Sequence, residues 1–318
     1  MKCPDQVIVI SSPAATRADL TKKRVIKPLR DQQSGESYGL TAYEIDAVDP
    51  VANANNFRER ITREFCGEKA LIIAAGGDST ATMGVNLVEM LVGSDVDATL
   101  ALAPTGHKSD GPNTIGTFWP DETSIDDLVE QDLRPLEVRI NDGLMTYAAA
   151  HLTLEFPALV STLLDDPYVR AIRRKFTDTK IDDIAIGAVI SLASMTKMLV
   201  DHGRTLPRFS RNGDLPQKFD SVTFSIAETC GGILTFPNSL ENLGPDSEGF
   251  NVSLKRLYDA VQLPNMGGEV SDEESLVFSR PISSLILAVD GMATNVHDAK
   301  KLSVRRGSAI KVAVPGKC

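Results

Sequence analysis

The sequence is poor in the residues that build metal sites and covalent frameworks. It has four cysteines in 318 residues, and they stand far apart, at Cys3, Cys66, Cys230 and Cys318. They form no CxxC pair and have no histidine at metal-ligand spacing. We therefore expect neither a zinc site nor a disulfide framework, but reduced thiols in a cytoplasmic protein.

Histidine is scarce as well, with four residues in the chain. His151, His202 and His297 lie far from one another, and none has a serine or carboxylate at a recognisable spacing. The sequence therefore indicates no Ser-His-Asp triad.

Long apolar runs are also missing. The first apolar segment, residues 7–10, is shorter than the roughly 7 to 15 apolar residues of a signal peptide, so we do not expect export. The most membrane-like stretch, residues 184–200, carries Ser191, Ser194 and Lys197 on one stripe. It falls short of the roughly 20 apolar residues that span a bilayer, and its pattern predicts an amphipathic helix packed on a core.

Positive charge is in deficit. Lysine and arginine total 33 against 43 aspartates and glutamates, which gives a net charge of −10. A general nucleic-acid-binding protein needs a positive surface to displace counterions, so we expect no nucleic-acid partner. The hydrophobic fraction of 42% and charged fraction of 24% are those of an ordinary globular protein.

The chain length favours two domains, because domains usually hold roughly 100 to 200 residues. In the first part, short apolar runs alternate with helical patterns, which predicts a parallel α/β layer. The predicted strands are residues 7–10, 70–75 and 98–103, and the predicted helices are 55–66 and 82–92. After residue 132 the pattern changes to alternating segments and predicts antiparallel β structure. The predicted strands there are 136–140, 222–227, 233–236, 276–278, 285–289 and 309–315.

Three turns contain residues suited to phosphate chemistry. The strand at 70–75 runs into Gly76-Gly77-Asp78-Ser79-Thr80, where the glycines permit a sharp turn and a polar residue can cap the next helix. Backbone N–H groups at such a helix start suit a phosphate. A second loop, residues 103–112, follows the next strand and should face the first. The third turn is Asp290-Gly291, which would present a carboxylate but which the residues alone favour as an ordinary hairpin turn.

The order of these motifs resembles the diacylglycerol kinase catalytic-domain family, which includes bacterial lipid kinases and is related in fold to NAD kinases. The motifs are Ser11-Ser12-Pro13, residues 76–80, Pro104 to Asp110, Cys230-Gly231-Gly232 with Pro237, Asp290-Gly291 and residues 309–315. The resemblance implies an N-terminal α/β nucleotide-binding domain, residues 1–131 plus 300–318, and a C-terminal β-sandwich substrate domain, residues 132–299. It also implies that the last strand returns to the first domain.

The resemblance further implies that the protein transfers the γ-phosphoryl group of ATP, with Mg²⁺ bridging its phosphates, to a hydroxyl of a lipid such as diacylglycerol or of another hydrophobic alcohol. Asp290 would be the general base, and Asp78 and Asp110 the metal ligands. The nucleotide-contacting residues would be Ser12, Gly76, Gly77, Asp78, Ser79, Thr80, Gly106, Lys108 and Asp110.

Several positions depart from the family pattern. Ser79 replaces a glycine, Lys108 lies in a loop segment that differs from the family's Thr-Gly-Asn, and Met292 replaces a glutamate after Asp-Gly. Thr82 and Met83 stand where the family has Asn and Glu. These departures leave two alternatives open: a nucleotide- or lipid-binding protein with impaired catalysis on the same fold, and an NAD kinase relative. Peripheral membrane contact and a homodimer are compatible with either.

Overall fold

The structure of the 318-residue chain is a computed structural model. It describes residues 4–12, 18–33, 38–45, 65, 67–106, 110–166, 169, 189–190, 193, 196, 208–216, 221–226, 229–230, 234–235, 250–255, 268–270 and 273–316. The predicted helix at 55–66 lies outside this part of the chain apart from residue 65. The amphipathic helix at 184–200 also lies largely outside it.

The first half of the chain alternates strands and helices. Its strands are β1 Gln6–Ser11, β2 Gly39–Glu44, β3 Lys69–Gly76, β4 Asp97–Pro104 and β5 Leu128–Leu133. Helix α1 joins three stretches, α-helical Ala18–Leu20, π-helical Thr21–Ile26 and α-helical Lys27–Gln33. Helices α2 Asp78–Val92 and α3 Asp110–Ile115 follow, and a 3-10 turn covers Ile125–Asp127.

The second half consists mainly of strands. Its elements are β6 Leu136–Ile140, β7 Gly143–Ala148, β8 His151–Glu155, helix α4 Phe156–Asp165, β9 Phe209–Arg211, β10 Ser221–Ser225, β11 Thr229–Cys230 and β12 Leu234–Thr235. They continue with β13 Phe250–Lys255, β14 Gly268–Val270, β15 Glu273–Ile282, β16 Leu285–Val289, β17 Met292–Val296, β18 Ala299–Arg306 and β19 Ile310–Pro315.

The first sheet has six strands in the order β2-β1-β3-β4-β19-β5. The pairs among β2, β1, β3 and β4 are parallel, and β19 is parallel to β4 and antiparallel to β5. Strands β1 and β3 are buried along almost their whole length because a sheet with parallel strands is covered on both faces, which explains their continuous apolar runs. The predicted strands at 7–10, 70–75 and 98–103, their parallel pairing and the return of the last strand are confirmed.

The other two large sheets are antiparallel in all their described pairs. One has the order β14-β13-β10-β8-β16-β17 and the other β7-β6-β18-β15-β9. Both contribute to one buried apolar cluster, for example through Phe224 of β10 and Leu302 of β18, and Ile72 of the first sheet belongs to the same cluster. The antiparallel character predicted after residue 132 is confirmed, and strands occur at each predicted segment.

Strand membership shows where the chain passes between the sheets. Strand β5 in the first sheet ends at Leu133, and β6 in an antiparallel sheet begins at Leu136. The chain returns between Arg306 and Ile310, because β18 pairs with β6 while β19 pairs with β4. The first passage lies within a few residues of the predicted domain boundary at 131/132. The second lies seven or more residues after the predicted boundary at 299/300. The division into an α/β domain and a β-sandwich domain stays a prediction.

Candidate functional site

The first glycine turn connects β3 to α2. A Cβ atom at Gly76 would lie 2.0 Å from the Thr80 Oγ1 atom, so the backbone can take this path only without a side chain at 76. Gly77 is the N-cap of α2, and its carbonyl accepts hydrogen bonds from the N–H groups of Thr80 and Ala81. No side chain caps the helix, so the expectation that Asp78, Ser79 or Thr80 would do so was wrong. Those residues instead form the first turn of α2 because the helix begins at Asp78.

Ser79 fits this turn without backbone strain. Ser79 stands where the family resembled in sequence has glycine, and a serine adopts a positive φ less readily than glycine does. The residue lies in the helical first turn of α2, however, and is not among the residues with positive φ. The replacement of glycine by serine therefore adds a hydroxyl without distorting the backbone.

The second loop lies beside the first, as predicted. The Gly106 N–H donates to the Gly76 carbonyl at 3.1 Å. The Asp78 Oδ1 atom accepts a hydrogen bond of 2.8 Å from the Gly111 N–H, in the first turn of α3. These two bonds join the carboxyl ends of β3 and β4. Residues 107–109, including Lys108, and the side chain of Asp110 lie outside the described part of the chain.

The third turn, Asp290-Gly291, closes the hairpin of β16 and β17. Its φ angles are 47° at Asp290 and 81° at Gly291, and two left-handed residues in a two-residue loop are typical of a type I′ turn. The turn is thus an ordinary Asp-Gly hairpin in its backbone. Its carboxylate is unusual, because Asp290 is only 2% exposed.

The Asp290 carboxylate accepts four hydrogen bonds. Its Oδ1 atom accepts from the N–H groups of Ala150 at 3.0 Å and His151 at 2.7 Å, in the link between β7 and β8. Its Oδ2 atom accepts from the Ala149 N–H at 2.6 Å and from the Thr82 hydroxyl of α2. Burial raises the pKa of the Asp290 carboxyl above its usual range, while the His151 charge and the hydrogen bonds oppose the rise.

One face of α2 holds these parts together. Asp78, Thr82 and Asn86 are spaced by four residues and therefore lie on one face of the helix. Asn86 pairs with the backbone of Tyr147 in β7: its Oδ1 accepts from the Tyr147 N–H at 3.1 Å, and its Nδ2 donates to the Tyr147 carbonyl at 3.0 Å. This polar stripe of α2 contacts α3, the Asp290 turn and β7 in succession.

The first turn of α2 and two of the residues that bind Asp290 meet at Gly111. A Cβ atom there would lie 3.4 Å from Asp78 Oδ1, 3.6 Å from the Ala150 Cβ and 3.9 Å from the Ala149 Cβ. Ala149 and Ala150 are two of the residues that bind Asp290. The structure thus brings the two glycine-bearing loops and the Asp290 carboxylate into one neighbourhood.

Two hydroxyl residues complete this neighbourhood. The Thr80 Oγ1 atom is buried and has no hydrogen-bond partner among the described residues. Ser12 is buried directly after β1, and because Ser11 is in register with Ala75, it lies level with Gly76 of the neighbouring strand. A buried hydroxyl without a partner costs free energy, which a bound acceptor such as a phosphate oxygen would recover.

One basic residue of α1, Arg24, makes several contacts within the chain. Arg24 pairs with Asp121, with 2.7 Å between Nε and Oδ2, and also with Glu122, and its guanidinium lies 4.1 Å from the centre of the Trp119 ring. Near it, the Thr21 hydroxyl donates to the Thr105 hydroxyl at 3.2 Å, which joins α1 to the second loop. The cluster at Arg170, Arg173, Arg174 and Lys175 lies outside the described residues.

Sequence reasoning missed three contributors to this site. Thr82 is noted in the sequence only as a departure from the family pattern, and Asn86 and the backbone of residues 149–151 are not noted at all. Polar residues at every fourth position from Asp78 to Asn86, along a helix that is mainly apolar after its first turn, were the available signal for Thr82 and Asn86. The sequence carries no such signal for backbone donors at 149–151, because every non-proline residue has an N–H group.

Within the described residues, no cluster of three or more histidine, cysteine, aspartate or glutamate side chains could hold a metal ion. No described helix is long and apolar enough to cross a membrane.

The comparisons with known proteins support the fold. No family model matches the sequence, and no curated protein does. Among solved structures, the chain is similar to a diacylglycerol kinase from Bacillus anthracis str. Sterne, with a TM-score of 0.55 and 13% sequence identity. The match covers 98% of this chain and 97% of that protein. At this identity the likeness establishes a shared mixed α/β fold.

Proposed function

We propose that the protein is an ATP-dependent kinase that transfers a γ-phosphoryl group to a hydroxyl of a lipid such as diacylglycerol. The observation that carries the proposal is the α2 stripe, whose Asp78 binds the second glycine loop and whose Thr82 binds Asp290. Phosphoryl transfer asks a protein mainly to position the two reactants and to neutralise charge. A fold shared with a solved diacylglycerol kinase over nearly its whole length favours that chemistry over others.

In this proposal the two glycine loops hold ATP. The first turn of α2 presents backbone N–H groups, and the buried Thr80 hydroxyl offers a donor to a phosphate oxygen. Ser12, Gly106 and Lys108 would contact the same nucleotide. Mg²⁺ usually binds one or two carboxylates together with substrate phosphates, so Asp78 and Asp110 would be its ligands.

Asp290 would take the proton of the acceptor hydroxyl as that oxygen attacks phosphorus. A carboxyl with a raised pKa suits this role because the best general base titrates near the working pH. Each carboxylate oxygen already accepts two hydrogen bonds, however, and Asp290 is buried. An acceptor alcohol would therefore have to displace one donor. The Thr82 hydroxyl is the candidate, because it is a side-chain donor that can rotate away, whereas the other three donors are backbone N–H groups.

The same burial favours a second candidate function. A carboxylate with four donors and 2% exposure also suits a purely structural role. The protein would then bind a nucleotide or a lipid on this fold without turnover. An NAD kinase relative remains a third, less favoured proposal, and cytoplasmic location with peripheral membrane contact is part of the first.

A transfer assay separates these proposals. The protein is incubated with γ-labelled ATP, Mg²⁺ and mixed micelles containing diacylglycerol or other lipid alcohols, and label in the lipid is counted. We expect transfer by the wild type, loss of transfer in Asp290→Asn, and Mg-ATP binding by calorimetry in both. Asp78→Asn, which removes charge at the loops, should weaken Mg-ATP binding.

Each other result has a defined meaning. Transfer retained in Asp290→Asn would refute Asp290 as the base. Mg-ATP affinity without transfer to any lipid would favour the binding protein, and transfer to NAD would favour the NAD kinase relative. Circular dichroism at the assay temperature confirms that each variant is folded.

A further inference from the structure

The Thr82 hydroxyl joins Asp290 to the helix that carries the first glycine turn. Thr82 is fully buried, and its Oγ1 donates to Asp290 Oδ2 while accepting from the Ala149 N–H at 3.3 Å. It is the one side-chain donor to the carboxylate among the described residues. The other three donors are backbone groups of residues 149–151, which belong to the second half of the chain.

Helix α2 has little freedom to move separately from the two loops. Its first turn accepts the Gly111 N–H through Asp78, and its third turn pairs with the Tyr147 backbone through Asn86. Between these two anchors, Thr82 is held at a fixed place relative to the glycine turn. The Thr82 hydroxyl is therefore the direct side-chain link between α2 and the Asp290 carboxylate, beside the three backbone donors of residues 149–151.

We propose that Thr82 is a positioning residue that orients the Asp290 carboxylate relative to the two glycine loops. The proposal rests on the proposed function, since it assigns Thr82 a role in the same reaction. The hydroxyl is the donor that the acceptor alcohol replaces during turnover, so its proton interacts with the carboxylate only until the substrate hydroxyl arrives. Thr82 thereby holds the ionised carboxylate ready without contacting substrate itself.

The charged groups around this contact also affect the pKa of Asp290, so they must stay unchanged in a pH measurement. His151 on β8 is the titratable group that acts on Asp290 through its charge. On α2, Asp78 lies one turn before Thr82 and Glu89 lies two turns after it, and Glu89 faces Glu137 of β6. A shift produced by changing Thr82 alone leaves all of these groups in place. It can therefore be assigned to the lost hydroxyl.

The first test is the pH dependence of turnover in three variants. Thr82→Val keeps the shape and removes the donor, Thr82→Ala removes the donor and leaves space, and Thr82→Ser keeps the donor. We expect kcat/KM for the lipid to fall about tenfold in the first two. The acid limb of the kcat/KM profile, which reports the free enzyme, should move to higher pH, because an ionised carboxylate that loses a donor is protonated more easily. Thr82→Ser should lie within about twofold of the wild type.

Thr153→Val is the matched control, because Thr153 is a buried threonine of β8 outside the Asp290 contacts. Its acid limb should not move. The proposal is overturned if Thr82→Val and Thr82→Ala keep the wild-type limb, or if Thr82→Ser shifts as far as they do.

The second test needs no catalytic activity. The free energy of unfolding is measured for the wild type, Thr82→Val, Asp290→Asn and the double variant in a double-mutant cycle. We expect coupling between the two sites of about tenfold in the unfolding equilibrium constant. Additive effects would refute the contact and with it the proposal. Coupling in a protein that transfers a phosphoryl group to no acceptor would refute the proposed function and the positioning role of Thr82, while confirming the contact itself.

Discussion

The Gly76-Gly77-Asp78 turn and the Asp290-Gly291 turn use glycine and aspartate in opposite ways. At Gly76-Gly77-Asp78 the backbone has ordinary φ angles, and the glycine is required because the Thr80 side chain lies where a Cβ would be. At Asp290-Gly291 both residues are left-handed, and a Cβ on Gly291 would meet nothing within 4 Å. Asp78 is partly exposed and accepts a bond from the Gly111 N–H, whereas Asp290 is buried and accepts four. Glycine is thus required at 76 because there is no space for a side chain, and favoured at 291 because the backbone is left-handed.

The largest expected effect is that of Asp290→Asn on stability. The asparagine NH₂ group would face the Ala149 N–H, so a buried donor loses its acceptor and the Thr82 contact is weakened. We expect a loss of roughly 2 to 5 kcal/mol, since each unsatisfied buried group costs about 1 to 3 kcal/mol. Asp78→Asn should cost less than about 1 kcal/mol, because its remaining oxygen can still accept from Gly111. Urea unfolding measures the loss of stability in both variants. Equal losses would show that the buried Asp290 and the partly exposed Asp78 do not differ in the way described.

Alanine substitution at Gly76 and at Gly291 should have smaller effects on stability, for two different reasons. Gly76→Ala should destabilise by about 1 to 3 kcal/mol because the new methyl group overlaps Thr80. Gly291→Ala should cost about 1 to 2 kcal/mol because of its φ of 81° alone.

Asparagine substitution at the same two positions distinguishes steric overlap from backbone strain as the cause of each loss of stability. Gly291→Asn should recover part of the loss seen for alanine, because asparagine tolerates the left-handed region. Gly76→Asn should lose more than Gly76→Ala, because the longer side chain needs more space. A recovery at 76, or none at 291, would show that the causes are assigned to the wrong turns. Thermal or urea unfolding of the four variants provides the measurement.

The smallest expected effect is on the pH dependence of stability, and it has opposite signs for two buried carboxyl groups. Burial raises the pKa of Asp290, so its stabilising contribution is complete below its unfolded pKa and declines as pH rises through the folded pKa. At Glu137, burial is outweighed by hydrogen bonds from Arg305 and Arg139, so its pKa is lowered. Its contribution is present above the unfolded pKa and is lost as pH falls through the folded one.

Unfolding free energies between about pH 3 and pH 8 test this contrast. The difference between wild type and Glu137→Gln should shrink towards the acid end. The difference between wild type and Asp290→Asn should shrink towards the neutral end. The same slope for both pairs would show that one of the two environments is described wrongly.

The parallel part of the fold was the easier part to predict. Strands β1, β3 and β4 are buried along almost their whole length, so their apolar runs are continuous and stand out against the glycine turns. Strand β2 was missed because it has a half-exposed pattern with Thr41 and Glu44. Strand β8 was missed because His151 and Thr153 are buried polar residues, which sequence patterns treat as exposed.

The site was predictable only in part. The two glycine loops and Asp290 follow from motif order, and the structure brings the loops together through Asp78 and Gly111. The contact of Thr82 with Asp290 joins positions 208 residues apart, and no local pattern reports such a distance. Three of the four donors to Asp290 are backbone groups, which have no side-chain signature.

The sequence by itself determined the parallel order at the start of the chain, the antiparallel character after it and the residues available for phosphate chemistry. Apolar periodicity and glycine placement are local properties, and burial and backbone sterics act on them directly. Only the tertiary structure decided that Asp290 is buried under four donors and tied to α2 through Thr82. Hydrogen-bond partners and access to solvent depend on which distant segments meet, and that is set by the packing of the sheets.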